Sequence, residues 1–119
     1  MRCREQNLRA QAEALYRESL ELYRKLSSTN PSVYEPDVAT TCNNLANLLS
    51  ASPEGREEAE KLYREALKLR RNLAATNPSM YEPDIAGTCN NLAILLAASP
   101  EGREEAEELF REALELYRK

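Results

Sequence analysis

Apolar residues recur at helical spacing along most of the chain. Leu15 and Leu22 lie on one stripe with Tyr16 and Tyr23, and a similar stripe returns within residues 62–73. Residues three, four or seven positions apart share one face of an α-helix, so this pattern predicts amphipathic helices. No segment alternates apolar and polar residues with a period of two, and strands are therefore not expected.

Prolines divide the helical stripes. Pro31 and Pro78 each follow an asparagine, and the residue before a proline resists the helical conformation, so helices are expected to end there. Pro36 and Pro83 are expected in the first turn of the next helix, where the missing N–H of proline is tolerated. The pattern predicts five helices, over residues 4–28, 36–50, 53–76, 83–97 and 100–118.

The chain repeats itself. Residues 12–58 and 59–105 align without a gap at a spacing of 47, with 35 identities in 47 positions, and a third, partial copy follows from Ala106. A period of 20–50 residues is typical of stacked repeat arrays. The length allows one domain over residues 1–119. We divide it into an N-terminal capping helix (1–30), a first repeat (31–77) and a slightly truncated second repeat (78–119).

The predicted helices fall into two kinds. The second and fourth are short and begin at Pro-Asp, and we call them A helices; the first, third and fifth are longer and rich in Glu and Arg, and we call them B helices. Ser52 and Ser99 are expected to cap the B helices that follow them, because serine is a favoured N-cap residue. Tyr34 and Tyr81 are expected to lie in long B-to-A loops and to hold those loops against the helices.

The residues of one helix pair resemble the tetratricopeptide repeat. The A helix reads Cys-Asn-Asn-Leu-Ala-Asn-Leu-Leu over residues 42–49, and the next B helix places Ala59, Tyr63 and Ala66 where the family has small, aromatic and small residues. The Asn-Asn-Leu-Ala motif is most similar to repeats of the kinesin-light-chain type and their bacterial relatives. This resemblance implies an all-α, right-handed superhelix, a TPR-like solenoid of five antiparallel helices.

The chain departs from the family pattern in three ways. Its repeat has 47 residues instead of 34, Arg71 replaces the proline that closes the second helix, and Cys42 and Cys89 replace a large aromatic residue. The near-identity of the two copies leaves two origins open, a recent duplication in a natural array and an idealised or designed protein.

The asparagines of the A helices are the best binding candidates. Asparagine is a mediocre helix former, so repeated pairs in the middle of a helix require a reason. In the family the A helices line a concave groove, and asparagine at Asn44 and Asn91 resembles a ladder that holds a peptide backbone. The alternative is a structural role, in which the amides bond neighbouring helices. The predicted peptide-binding residues are Thr40, Asn43, Asn44, Asn47, Asn90, Asn91 and Ile94.

Two features of the predicted groove bear on its ligand. No Lys or Arg occurs between Glu35 and Ala51 or between Glu82 and Ala98. Some members of the family bind the C-terminal carboxylate of a peptide through Lys and Arg on the A helices, and this binding mode is therefore not expected here. The first repeat is more polar here than the second, which suggests an extended peptide with an apolar side chain near Ile94. We therefore expect a peptide or protein partner, bound in a non-enzymatic interaction module.

The ends of the array suggest an alternative function. The N-terminal helix carries charged residues, Arg4, Glu5 and Arg9, that resemble a polar cap. The C-terminal helix has no such cover, and an uncovered apolar end tends to find a partner. A fragmentary or engineered scaffold without a native ligand would then self-associate into a homo-oligomer. The residues predicted for this contact are Leu109, Leu116 and Tyr117.

Composition argues against several other functions. The chain has no histidine, so Ser-His and Cys-His nucleophile pairs and a histidine-containing metal site are not expected, and we expect no catalytic residue, no metal and no cofactor. A net charge of −4 without a basic stripe disfavours nucleic acid, and no apolar stretch is long enough for a membrane span. The absence of a secretory signal favours a cytoplasmic protein. Cys42 and Cys89 are expected to be buried, and Cys3 to be exposed.

Overall fold

The chain folds into five α-helices connected by very short turns. The computed structural model describes the backbone of residues 2–119 and the side chains of residues 7–119, and this part contains no strand. The predicted all-α solenoid of five antiparallel helices is confirmed, with each helix packed against the next one in the chain. The helices are α1 (Arg2–Thr29), α2 (Pro31–Leu49), α3 (Arg56–Thr76), α4 (Pro78–Ala97) and α5 (Arg103–Arg118).

The A helices begin earlier than the sequence predicted. Both α2 and α4 start at the first proline of their segment, Pro31 and Pro78, and a single asparagine separates each from the preceding B helix. Pro36 therefore lies inside α2. Because Pro36 has no N–H, the carbonyl of Ser32 lacks its usual helical donor, and water can satisfy it because Ser32 is exposed.

This shift changes the environment of the two tyrosines that were predicted to lie in loops. Tyr34 and Tyr81 both belong to the first turns of the A helices and are half-buried there. The backbone N–H of Tyr34 donates to the carbonyl of Asn30 at 3.2 Å, which closes the first turn of α2. The prediction of long loops at these positions was wrong, since one residue suffices to reverse the chain.

The two B helices after a Ser-Pro-Glu-Gly turn begin later than predicted. Pro53–Gly55 and Pro100–Gly102 form 3-10 turns, and regular α-helix starts at the following arginine. Neither Ser52 nor Ser99 caps a helix with its side chain. The backbone carbonyl of Ser52 instead accepts a bond from the N–H of Gly55 at 3.1 Å, so the turn is closed by main-chain atoms.

Small residues let the helices approach closely. Ala46 on α2 and Ala59 and Ala66 on α3 are fully buried, and the ring of Tyr63 packs among them. Leu45 and Leu92, at equivalent positions of α2 and α4, are the largest fully buried side chains. The core therefore runs as one continuous layer from α1 to α5 and positions the exposed faces of α2 and α4 side by side.

Arginine–glutamate pairs connect successive B helices, and we call this set the ion-pair ladder. Each arginine bonds a glutamate 41 residues further along the chain, as when both terminal nitrogens of Arg17 donate to Glu58 at 2.6 and 2.9 Å. The same bidentate geometry joins Arg64 and Glu105 at 2.8 and 2.9 Å. The four pairs are Arg17–Glu58, Arg24–Glu65, Arg64–Glu105 and Arg71–Glu112.

Two glycines allow the A-to-B turns to pass close to the preceding helix. A Cβ atom at Gly55 would collide with the carbonyl of Leu49, and one at Gly102 would collide with the carbonyl of Leu96. A Cβ at Gly87, in contrast, would meet no atom within 4 Å. Gly55 and Gly102 are therefore required by close packing, whereas Gly87 is not.

The glycines provide a matched test of this packing. We predict that Gly55→Ala destabilises the protein by about 1–3 kcal/mol, because backbone must move to admit the methyl group. Gly87→Ala is expected to be neutral or to stabilise by about 0.5–1 kcal/mol, since alanine is the better helix former. Urea unfolding followed by circular dichroism measures both values. Equal effects at the two positions would contradict the steric explanation.

Candidate binding groove between the second and fourth helices

The predicted binding residues lie on the exposed stripes of α2 and α4. Thr40, Asn47 and Ile94 are exposed, and the four remaining asparagines are half-buried. Three of the predicted residues, Asn47, Asn91 and Ile94, meet in one depression of about 360 Å³ between the two helices. That depression is also lined by Ser50, Arg56, Tyr63, Leu95 and Ala98.

Asn47 has an internal partner. The hydroxyl of Tyr63, whose ring is buried, donates to Oδ1 of Asn47, and burial raises the pKa of Tyr63. In the second repeat the equivalent residues are Ile94 and Phe110, so the amide and the hydroxyl disappear together. The Tyr63–Asn47 hydrogen bond therefore accounts for the polar residue at this position in the first repeat, and no ligand is needed to explain the difference from the second repeat.

A buried arginine organises the other end of the groove. Arg70 of α3 donates to the hydroxyl of Thr88 on α4 at 2.6 Å, and more weakly to the hydroxyl of Thr40 on α2 at 3.4 Å. The hydroxyl of Thr88 in turn donates to Oδ1 of Asn43 at 3.2 Å. Thr40 and Asn43 are therefore tied to a polar network that connects α2, α3 and α4.

The positive charge of Arg70 is not neutralised by an ion pair. No carboxylate lies within 4.0 Å of its guanidinium among residues 7–119, and burial lowers the pKa of Arg70. Its other contact is the backbone carbonyl of Asp84 at 3.4 Å. Asp84 attracts Arg70 only over a longer range, and every hydrogen bond of the guanidinium goes to a neutral acceptor, so an anion that bonded Arg70 directly would offset the cost of its desolvation.

Reasoning from the A helices alone missed Arg70, because it lies on a B helix. The repeat alignment contains a signal that could have found it. The equivalent positions in the first and third copies are Tyr23 and Tyr117, so the arginine is unique to the middle copy. A charged residue at a position that is otherwise aromatic indicates a local polar environment.

Asn44 and Asn91 stand apart from these networks. They occupy equivalent positions of α2 and α4 and are half-buried, and within residues 7–119 neither side chain makes a hydrogen bond. Asn90 likewise makes none in the same part of the chain. Each amide can therefore still donate and accept a hydrogen bond, and a peptide group of a bound segment offers the matching acceptor and donor.

The cysteines of the A helices are core residues. Cys42 and Cys89 are fully buried and unpaired, and burial raises the pKa of Cys42 to about 12 and that of Cys89 to about 11. The side chain of Cys3 lies outside the described residues. Within the described part of the chain, no three ligating side chains cluster as a metal site would require.

The two end helices differ from expectation. On α5, Leu109 is buried against the core and Leu116 is half-buried, so the exposed apolar residues are Phe110, Leu114 and Tyr117. Leu109 therefore does not belong to the open face. On α1, the predicted polar cap includes Arg4 and Glu5, which lie outside the described side chains, and Arg9, which is exposed. The described part of α1 also exposes leucines, namely Leu8, Leu15, Leu22 and Leu26.

A family model described as tetratricopeptide repeat matches residues 3–31, 38–77 and 85–119, which cover most of the chain. No curated protein matches the sequence. None of the helices in the described part of the chain combines the length and the apolar character needed to cross a membrane.

The Tyr63–Asn47 hydrogen bond can be tested with a double-mutant cycle. We predict that Tyr63→Phe destabilises by about 1 kcal/mol and that Asn47→Ile costs about 1–2 kcal/mol, because each leaves one partner unsatisfied. The double variant reproduces the second repeat and should cost less than the sum, with a coupling of about 1 kcal/mol. Additive effects in urea unfolding would contradict a structural role for Asn47.

The buried thiols predict a reactivity pattern. In a Cys3→Ser variant, Cys42 and Cys89 are expected to resist iodoacetamide at mildly alkaline pH and to react once urea unfolds the chain, because the thiolate is the reactive form. The unfolded chain releases these protons near pH 9 and the folded chain holds them, so stability should fall as pH rises from about 9 towards 11. Mass spectrometry counts the labels; rapid native labelling of both thiols would refute their burial.

Proposed function

Because the chain belongs to the tetratricopeptide repeat family, we propose that it is a protein-interaction module that binds an extended peptide in the groove between α2 and α4. Repeats of this family are generally non-enzymatic protein–protein interaction modules. The observation that carries the proposal is the pair Asn44 and Asn91, two half-buried amides at equivalent positions that make no side-chain hydrogen bond within residues 7–119.

The spacing of these amides suits an extended main chain. Adjacent packed helices lie about 8–10 Å apart, which corresponds to roughly three residues of an extended strand at 3.3 Å each. Asn44 and Asn91 would then bond peptide groups about two to three residues apart, and groups two residues apart project to the same side of an extended segment. Amide-to-backbone bonds depend little on side-chain identity, so this contact supplies affinity more than sequence choice.

Two arginines of α3 would make the groove selective for particular peptide sequences. Arg70 lies beneath one end of the groove without an ion pair within 4.0 Å among residues 7–119, and Arg56 lines the depression at the other end together with Ile94. The preferred ligand is therefore a short peptide with a carboxylate near Arg70 and an apolar side chain near Ile94.

A display selection tests this function. A library of random linear peptides is selected against the chain, and enriched peptides are remade with a fluorophore for anisotropy titrations. We predict that Asn44→Ala/Asn91→Ala weakens binding at least tenfold with little change in urea unfolding. Arg70→Gln is expected to weaken peptides with the acidic residue more than peptides in which that residue is an amide.

The control is the same substitution, Asn to Ala, at a position outside the groove. Asn72 is an exposed asparagine on α3, and Asn72→Ala should leave peptide affinity unchanged. If Asn44→Ala/Asn91→Ala alters stability but not affinity, the amides have a purely structural role and the groove proposal fails. Failure to enrich any peptide that competes at this groove would also contradict the proposal.

A further inference from the structure

The ion-pair ladder is complete inside the chain but unfinished at both ends. Arg111 and Arg118 of α5 occupy the positions of Arg64 and Arg71, which pair with the next B helix. No ion pair of Arg111 or Arg118 is found among the side chains of residues 7–119. Two ladder donors thus remain at the C-terminal end of the array.

The N-terminal end presents the opposite half of the ladder. Glu18 of α1 occupies the position of Glu65, which accepts from the preceding B helix, and Gln11 occupies that of Glu58. Glu18 is exposed and makes no ion pair within the described side chains. Among the described side chains, the α5 end therefore carries ladder arginines without an ion pair, and the α1 end carries Glu18 and Gln11 at the positions of their acceptors.

The same two ends expose apolar residues that are buried elsewhere in the repeat. Phe110 and Leu114 of α5 are 39% and 49% exposed, whereas their equivalents on α3, Tyr63 and Leu67, are 2% and 6% exposed. On α1, Leu15 is 64% exposed and its equivalent Leu62 only 6%. The apolar faces and the unpaired ladder residues occur on the same two helices.

We propose that the chain assembles head to tail, with α5 of one copy packed on α1 of a second copy. The contact between α1 and α3 inside the chain provides the template. There a cleft is floored by Leu20 of α1, Leu62 of α3 and Leu45 of the intervening α2, and it is flanked by the pairs Arg17–Glu58 and Arg24–Glu65. The residues equivalent to Leu20 and Leu62 at the junction are Leu114 and Leu15 of the second copy.

The junction continues the ladder from one copy to the next. Arg118 would meet Glu18 of the second copy, as Arg24 meets Glu65 inside the chain, and Arg111 would meet Gln11. No A helix lies at the junction to supply an equivalent of Leu45, so α1 of the second copy would approach Leu114 more closely than α3 approaches Leu20 inside the chain. This closer approach would bury Leu114 of one copy and Leu15 of the other in one contact.

Charge favours this arrangement over symmetric pairing. A two-fold contact of α5 with α5 would bring Arg111 and Arg118 of both copies together, and a two-fold contact of α1 with α1 would do the same with Glu18. Like charges brought together disfavour association, whereas the head-to-tail contact pairs opposite charges. Such a heterologous contact leaves a free end on every complex, so assembly continues past the dimer.

Two variants that each block one end test the proposal. Leu15→Glu removes the α1 face and Leu114→Glu removes the α5 face; both leucines are exposed, so the monomer should fold. Sedimentation velocity in reductant, up to millimolar concentration, is expected to show growth past the dimer for the unmodified chain and monomers for each variant alone. In a mixture, the intact α5 face of the Leu15→Glu variant can bind the intact α1 face of the Leu114→Glu variant. No other pair of intact faces exists, so the mixture should form dimers and nothing larger.

A control and a charge exchange complete the design. Met80→Glu places the same change on an exposed residue of α4 outside the groove and should leave assembly unaffected. Glu18→Arg or Arg118→Glu alone should weaken association roughly two- to fivefold, the size expected for an exposed ion pair, and the double variant should recover it. A monomer at all concentrations, a dimer ceiling for the unmodified chain, or a mixture that stays monomeric would each overturn the proposal.

Discussion

The fold depends on the fact that no helix pair of this chain can bury its own apolar face. Tyr63 of α3 is buried because α2 covers it from one side and α4 from the other, whereas Phe110, at the equivalent position of α5, remains exposed. Burial of apolar area is the main favourable contribution to folding, so each helix is stabilised by its neighbours. The small residues Ala46, Ala59 and Ala66 make this stacking close enough to exclude water.

Stacking also determines where polar chemistry can occur. The inner faces of α2 and α4 are occupied by the core, and their outer stripes form a groove whose floor contains the network of Arg70, Thr88 and Asn43. Since these residues come from three helices, the network exists only when the repeats are stacked. The same stacking aligns the B helices and brings the ladder pairs into register.

Much of the fold could be predicted from the sequence, because helical spacing and the internal repeat are local signals. Five helices and their pairing followed from them. The starts of α2 and α4 did not, because Pro31 and Pro36 are both compatible with a first helical turn and only the packed structure selects the earlier one. The side-chain caps expected at Ser52 and Ser99 were absent because main-chain atoms close those turns.

The candidate site was predictable only in part. The exposed stripes of α2 and α4 follow from helical periodicity, which is why Thr40, Asn47 and Ile94 were identified. The partner of Asn47 and the position of Arg70 depend on contacts between residues distant in sequence, which a single chain does not reveal directly. The differences between the two copies were the usable signal, since Asn47 changes together with Tyr63 and Arg70 replaces a tyrosine.

The most direct test of the stacking account is hydrogen exchange of the dilute protein, read along the chain by mass spectrometry. Amide protection reports the free energy of local opening, so helices covered on two sides should exchange more slowly than helices covered on one side. The account predicts the strongest protection in α2, α3 and α4 and weaker protection in α1 and α5. Equal protection of all five helices would contradict it, because each helix would then be stable without its neighbours.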